Sequence, residues 1–258
     1  MCVDELVDLD QLNAEAYGQV MCYPRCSVNE WKNRLEELRN LGMTAIEFSG
    51  KKVVAGLPVL GKGCVGIVIG AYRRSEKVAM KIRRVDADRT RMQQEAEMLK
   101  TANTVRVGPC LLDVSDNFLI MDFVEGMMLP EWLHDLERSG AKLKVKRVLQ
   151  NVLEQSWRLD ELGMDHGELS RAPKHIIVDA DGKPWIVDFE SASVNRKVSN
   201  VTSMCHYLFI SRSIAEIMQS IIGQLDRAKL VQALKNYKQN RTRENFEKIL
   251  KVCILRNS

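Results

Sequence analysis

The chain has 258 residues, 45% hydrophobic and 28% charged, the profile of a folded protein with a sizeable core rather than a disordered one. Lys and Arg number 38 against 34 Asp and Glu, and a net charge of +4 is too small to indicate nucleic acid. No run of roughly 18 apolar residues occurs, so no membrane span is expected.

The opening MCVDELVDLDQ is acidic and lacks an apolar secretory segment, and the seven cysteines are scattered. They read as reduced thiols in a cytoplasmic setting. Cys22 and Cys26, with distant Cys205-His206, have irregular spacing for a zinc site, so free buried thiols are the better reading. Ser27 and Glu30 form a capping box before a helix, WKNRLEELRNL, that stops at Gly42 and carries Trp31, Leu35 and Leu38 at helical spacing. A β-rich block follows: TAIEF, VVAGLPVLG, VGIVIGAYR and KVAMKIR are short, β-branched and punctuated by glycine or charge.

A helical pattern returns from about Asp88 to Lys100, with Met92, Ala96 and Leu99 on one face. LLDVS and NFLIMDFV read as a second hairpin turning at Asp116-Asn117. After Gly126 the pattern changes. LPEWLHDLE is a short helix, and residues 143–163 form a long one with Val145, Val148, Leu149, Val152 and Leu159 at core spacing. An irregular loop, GMDHGELSRAPKH, then leads to two short strands, IIVD and PWIVDF, joined at Asp181-Gly182; the rest, from about Val201, is helical. The reading is an α+β fold: an N-terminal helical extension over 1–50, a β-rich lobe over 51–126 and a helical lobe over 127–258. Two lobes with a short connection imply a cleft for ligands.

Four motifs carry chemistry. Gly61-Lys62-Gly63-Cys64-Val65-Gly66-Ile67-Val68 fits G-x-G-x-x-G-x-V, whose glycines let a backbone approach phosphate oxygens. Alone, a glycine-rich hairpin fits it equally well. A dinucleotide fold needs a helix after the glycines, and a strand follows instead. A P-loop through Gly56, Gly61 and Lys62 fails for the same reason, and Gly63 has no hydroxyl for Mg²⁺. Lys81 lies within the apolar strand Val78-Ala79-Met80-Lys81 and needs a carboxylate partner, for which the next helix offers Glu95 and, less well placed, Glu97. Asp188-Phe189-Glu190 follows a strand, and His166-Gly167-Glu168-Leu169 precedes it. Glycine loop, strand lysine, helix glutamate, catalytic loop and D-F-x, in that order, is the order of a protein kinase.

With LGKGCVG, AMKIRRVDADR, EAEML, MDHGELSRAPKH and VDFESAS, the chain resembles RIO-like atypical protein kinases, most of all the small serine/threonine kinases predicted in archaea, over about residues 57–210. The resemblance implies a two-lobed kinase-like fold, ATP with Mg²⁺ or Mn²⁺, and a protein substrate. It places Gly61, Gly63, Gly66 and Val68 over the nucleotide. Lys81 and Glu95 fall on its phosphates, backbone groups of Asp122 and Val124 on its adenine beside Met121, Asp188 on the metal, and Glu168 at the catalytic base. The chain departs from the pattern at three points. Glu168 replaces an aspartate, with Asp165 as a rival base. His175 replaces the metal-binding asparagine; imidazole suits Mn²⁺ or Zn²⁺ better than Mg²⁺, and a phosphate donor or a core histidine are the other readings. Glu190 replaces the glycine, as a third carboxylate or a solvated turn residue. Arg171 and Lys174 could neutralise the γ-phosphate or be plain solvated charges. The departures leave a nucleotide-binding pseudokinase or ATPase-like switch as the main alternative, and small-molecule phosphorylation as a third.

Overall fold

A computed structural model describes residues 5–136 and 141–253. Glu137, expected to end the short helix, and residues 254–258 lie outside them. The chain divides into two compact units: residues 1–101 with 109–123, and residues 102–108 with 124–258.

The first unit is built on an antiparallel sheet. Its strands are β1 (Glu5–Asp8), β2 (Met43–Phe48), β5 (Gly61–Lys62), β6 (Gly66–Arg73), β7 (Glu76–Arg83), β8 (Leu111–Val114) and β9 (Phe118–Asp122). They lie in the order β1-β2-β6-β7-β9-β8, with β5 pairing β6. A separate hairpin joins β3 (Lys52–Val54) to β4 (Leu57–Val59). The segment before residue 50 therefore supplies two strands of this sheet, together with helices α1 (Ala14–Met21) and α2 (Val28–Asn40). One core holds Val20, Trp31, Leu38, Ile46, Phe48, Ile67, Ile69, Met80 and Phe118.

Only half of the capping box forms on α2. The Ser27 hydroxyl accepts from the Glu30 amide at 3.2 Å, but the Glu30 carboxylate turns to Arg34 Nε at 2.8 Å. Arg34 explains the switch. It is 1% exposed and donates to the carbonyls of Met21 and Arg83 and to Asn117 Oδ1. A buried guanidinium needs this many acceptors. Asn117 also accepts from Arg83 and donates to Glu37. The network ties α2 to the end of β7 and to the β8–β9 turn.

Helix α3 (Arg89–Thr104) buries Met92, Ala96 and Leu99. In the second unit, β10 (Gly126–Met128), β11 (Ile176–Asp179) and β12 (Pro184–Ile186) form a three-stranded sheet in that order. Helices α4 (Leu129–Leu136) and α5 (Lys142–Leu162) follow β10. The five apolar positions expected on α5 are all buried, each contributing roughly 1.5–3 kcal/mol. Gly163 ends α5 at φ +78°, the left-handed cap that glycine adopts without strain. The C-terminal part is helical as expected: α6 (Asn200–Cys205), a π turn over His206–Ile210, α7 (Arg212–Ile222), α8 (Arg227–Gln239) and α9 (Arg243–Val252). No helix among the described residues is long and apolar enough to cross a membrane. A β-sheet unit followed by a helical one is the mixed α/β arrangement of the kinase-like expectation.

Candidate nucleotide and metal site

In the first unit the glycine motif is the β5–β6 turn. The Gly63 amide donates to the Gly66 carbonyl at 2.8 Å. Gly66 has no room for a side chain, because a Cβ would lie 2.8 Å from the Ile82 carbonyl and 3.0 Å from Lys81 Cγ. At Gly61 the nearest atom to such a Cβ is 3.6 Å away, so the two glycines have different structural reasons. Val68 sits opposite Lys81 in the β6–β7 register. The loop is also held from outside: Lys62 Nζ donates to Tyr23 Oη at 2.8 Å, and the Tyr23 carbonyl accepts from the Val85 amide at 2.8 Å.

Lys81 Nζ lies 2.6 Å from Glu95 Oε2, with side chains only 5% and 3% exposed. Glu97, two residues on, points to solvent. The helical repeat explains this: Glu95 shares the buried face with Met92, Ala96 and Leu99. Further along, the Asp122 amide donates to the Cys110 carbonyl at 3.0 Å, and its carboxylate accepts from the Cys110 amide. Val124 follows, where the second unit begins.

In the second unit the loop after α5 is fixed by a buried hub. Asp160 accepts from the amide and side chain of Asn200, the Val201 amide and the Tyr237 hydroxyl. Burial nevertheless raises its carboxyl above the ordinary value. Asn200 in turn accepts from the His166 amide at 2.8 Å. His166 is fully buried, packs against Phe189 and donates through Nε2 to the Val187 carbonyl at 3.2 Å. Burial pushes it down to about 4, so it is neutral at pH 7. At Gly167, φ +89°, a Cβ would strike the Ser191 carbonyl and Arg196.

Asp165, the rival base, is 7% exposed and committed. It accepts from the amide and hydroxyl of Ser199, each at 3.1 Å, and faces Arg196 at 3.3 Å. Glu168 is more open, its side chain 38% exposed. Its Oε1 accepts from the Ser191 hydroxyl at 2.6 Å, and Oε2 lies 3.0 Å from His175 Nε2. The Ser191 bond is the main reason its carboxyl sits below the ordinary value. His175 is fully buried after a kinked turn over Leu169–Lys174, and its Nδ1 lies 3.7 Å from Asp188 Oδ2. Asp188 has φ +70°, a conformation that costs a non-glycine residue roughly 1–3 kcal/mol and collects at functional sites. Glu168, His175 and Asp188 thus lie together, and Arg171 and Lys174 are exposed on the loop beside them.

The family model described as the RIO domain matches residues 69–206, more than half of the chain. The chain belongs to the RIO family of atypical kinases. It is also similar to Uncharacterized protein MJ1211 of Methanocaldococcus jannaschii, 26% identical over 121 residues, 46% of this chain and 99% of that protein. The matched RIO segment runs from within β6 to the start of the π turn, so Lys81, Glu95, Glu168, His175 and Asp188 all lie inside it, and Gly61, Gly63, Gly66 and Val68 just before it. RIO membership brings ATP binding and ATP-dependent kinase or ATPase chemistry to the chain as a class.

The residues fit a nucleotide-bridged divalent ion. No three His, Cys, Asp or Glu side chains converge into a cage among the described residues. A cage is not needed, since ions of this kind are held by one or two protein groups together with phosphate oxygens and water. Asp188 offers a carboxylate, and the buried His175 Nδ1 has no hydrogen-bond partner.

Sequence reasoning missed Ser191, Asn200, Asp160 and Arg34. Arg34 did leave a signal: it falls between Trp31 and Leu38 on the apolar stripe of α2, where a charge must be paired.

Proposed function

We propose that this RIO-family chain is a cytoplasmic protein kinase that transfers the γ-phosphoryl group of ATP to a serine or threonine hydroxyl. The observation that carries the reading is the buried Lys81–Glu95 pair. A buried ion pair is a poor stabiliser, because desolvation consumes most of its attraction. Its retention beside a glycine turn is accounted for by a phosphate ligand. In this reading Gly61, Gly63, Gly66 and Val68 cover the nucleotide, Lys81 neutralises its phosphates and Glu95 aims Lys81. Backbone groups of Asp122 and Val124 take the adenine, and Asp188 would hold the ion. That ion, Mg²⁺ or Mn²⁺, supplies charge neutralisation on the transferring phosphate.

Glu168 is the base. A carboxylate has about four acceptor positions, so one already accepting from Ser191 and His175 can still take a substrate hydroxyl. Its lowered basicity is tolerable, since phosphoryl transfer depends mainly on positioning and charge. The same engagement favours a second reading, a nucleotide-binding pseudokinase or ATPase-like switch. Titration with a fluorescent ATP analogue separates these from a wrong site. Lys81→Ala should weaken binding at least tenfold with the fold retained, and unchanged binding would remove the nucleotide from this site.

A further inference from the structure

We propose that His175 is itself a ligand of the divalent ion, through Nδ1 and beside Asp188, and that Glu168 and Ser191 hold it in the tautomer this requires. The inference rests on the reading above and specifies which ion the site prefers.

One chain of hydrogen bonds leads from Ser191 through Glu168 to His175. The Ser191 hydroxyl donates to Glu168 Oε1 at 2.6 Å, which favours the ionised carboxylate. An ionised carboxylate only accepts hydrogen bonds, so the 3.0 Å contact with His175 places the proton on Nε2. In the neutral ring Nδ1 then carries the lone pair. That nitrogen is fully buried, has no hydrogen-bond partner, and lies 3.7 Å from Asp188 Oδ2. A cation held beside Asp188 would give the orphaned Nδ1 its partner. The separation is shorter than the roughly 4.2 Å that two ligands at about 2.1 Å from one ion can span. A histidine ligand whose other N–H is given to a carboxylate is the usual way such a ligand is oriented and made more basic.

The consequence is selectivity. An imidazole nitrogen favours Mn²⁺ and later ions over Mg²⁺, whereas an amide oxygen at the same place would not. With no third protein ligand among the described residues, the ion is completed by phosphate oxygens and binds well only with nucleotide.

The test is pulsed electron paramagnetic resonance on the full chain with Mn²⁺ and ADP, using protein grown with natural or ¹⁵N-labelled histidine. The expected result is a nitrogen coupling that changes from ¹⁴N to ¹⁵N with the label. His175→Asn should abolish it and lower the preference for Mn²⁺ over Mg²⁺ by about tenfold, and Glu168→Gln should weaken Mn²⁺ binding by about the same factor. Mn²⁺ held with nucleotide but without histidine coupling in the wild-type protein overturns this inference alone. It would leave His175 as a hydrogen-bond partner of Glu168 with no part in holding the ion. Absence of any nucleotide-dependent Mn²⁺ binding overturns the phosphotransfer reading as well.

Discussion

Replacing Glu95 with leucine takes away the carboxylate 2.6 Å from an ammonium that is 95% buried. Breaking one side of a buried pair costs about 3–5 kcal/mol, because the remaining charge stays in a poor solvent. At roughly 2–4 °C per kcal/mol for a chain of about 250 residues, the melting temperature should fall by roughly 6–20 °C. Lys81→Met should cost about as much for the converse reason. The double variant Lys81→Met/Glu95→Leu is the informative one. Replacing a buried pair by packed apolar side chains is often neutral or stabilising, so its stability should return to within about 1 kcal/mol of the wild type. Nucleotide binding should nevertheless stay lost. Urea denaturation of the four proteins, followed by far-ultraviolet circular dichroism, measures the cycle, and a fluorescent ATP analogue reads binding. A double variant as unstable as the two single losses added together would show that Lys81 and Glu95 do not act as a pair. So would a Glu95→Leu cost below about 1 kcal/mol.

Other outcomes follow from the same geometry. Gly66→Ala forces a Cβ to within 2.8 Å of the Ile82 carbonyl and should cost about 1–3 kcal/mol, whereas Gly61→Ala, with 3.6 Å of room, should melt within a degree or two of the wild type. Glu168→Gln should lower kcat by about 10²–10⁴-fold with little change in ATP affinity measured without added metal. Asp165→Asn, which weakens the Ser199 and Arg196 contacts, should show first as lost stability, and the reverse ranking in kcat would shift the base to Asp165. Burial raises Asp160 above the ordinary aspartate value of 3.8, so its contribution to stability is complete below that pH and declines as pH rises through the raised value. Denaturation midpoints measured from pH 4 upward should show a decline that Asp160→Asn removes; an unchanged slope in the variant would assign the decline to other groups.

Much of this was legible in the sequence because local pattern and global packing agree. Val145, Val148, Leu149, Val152 and Leu159 recur at helical spacing and are buried on α5. Lys81 in an apolar strand demanded a partner, and helical phase selected Glu95 over Glu97. What stayed hidden depends on partners distant in the chain. β1 is four residues of mixed polarity, and it is a strand only because β2 offers an edge. β10 is three residues, Gly126-Met127-Met128, paired to a strand some fifty positions on; a Cβ on Gly126 would meet the Val178 carbonyl at 2.4 Å. The loop before His175 reads as irregular because Pro173 and neighbouring non-helical angles break any period. Within the site, residue types and order were readable, but the roles of Ser191 and Asn200 were not. A serine or asparagine in a loop has no period, and only the folded chain shows which carboxylate or amide it meets.

Transfer of radiolabelled γ-phosphate from ATP is the decisive measurement of the proposed phosphoryl transfer. The full chain should be assayed with Mg²⁺ and Mn²⁺ in parallel, on itself and on a protein mixture rich in serine and threonine. Phosphoserine or phosphothreonine should appear, faster with Mn²⁺, and should vanish with Lys81→Ala and Asp188→Asn. Tight nucleotide binding with no label transferred in either metal would rule out a kinase and leave a nucleotide-responsive switch.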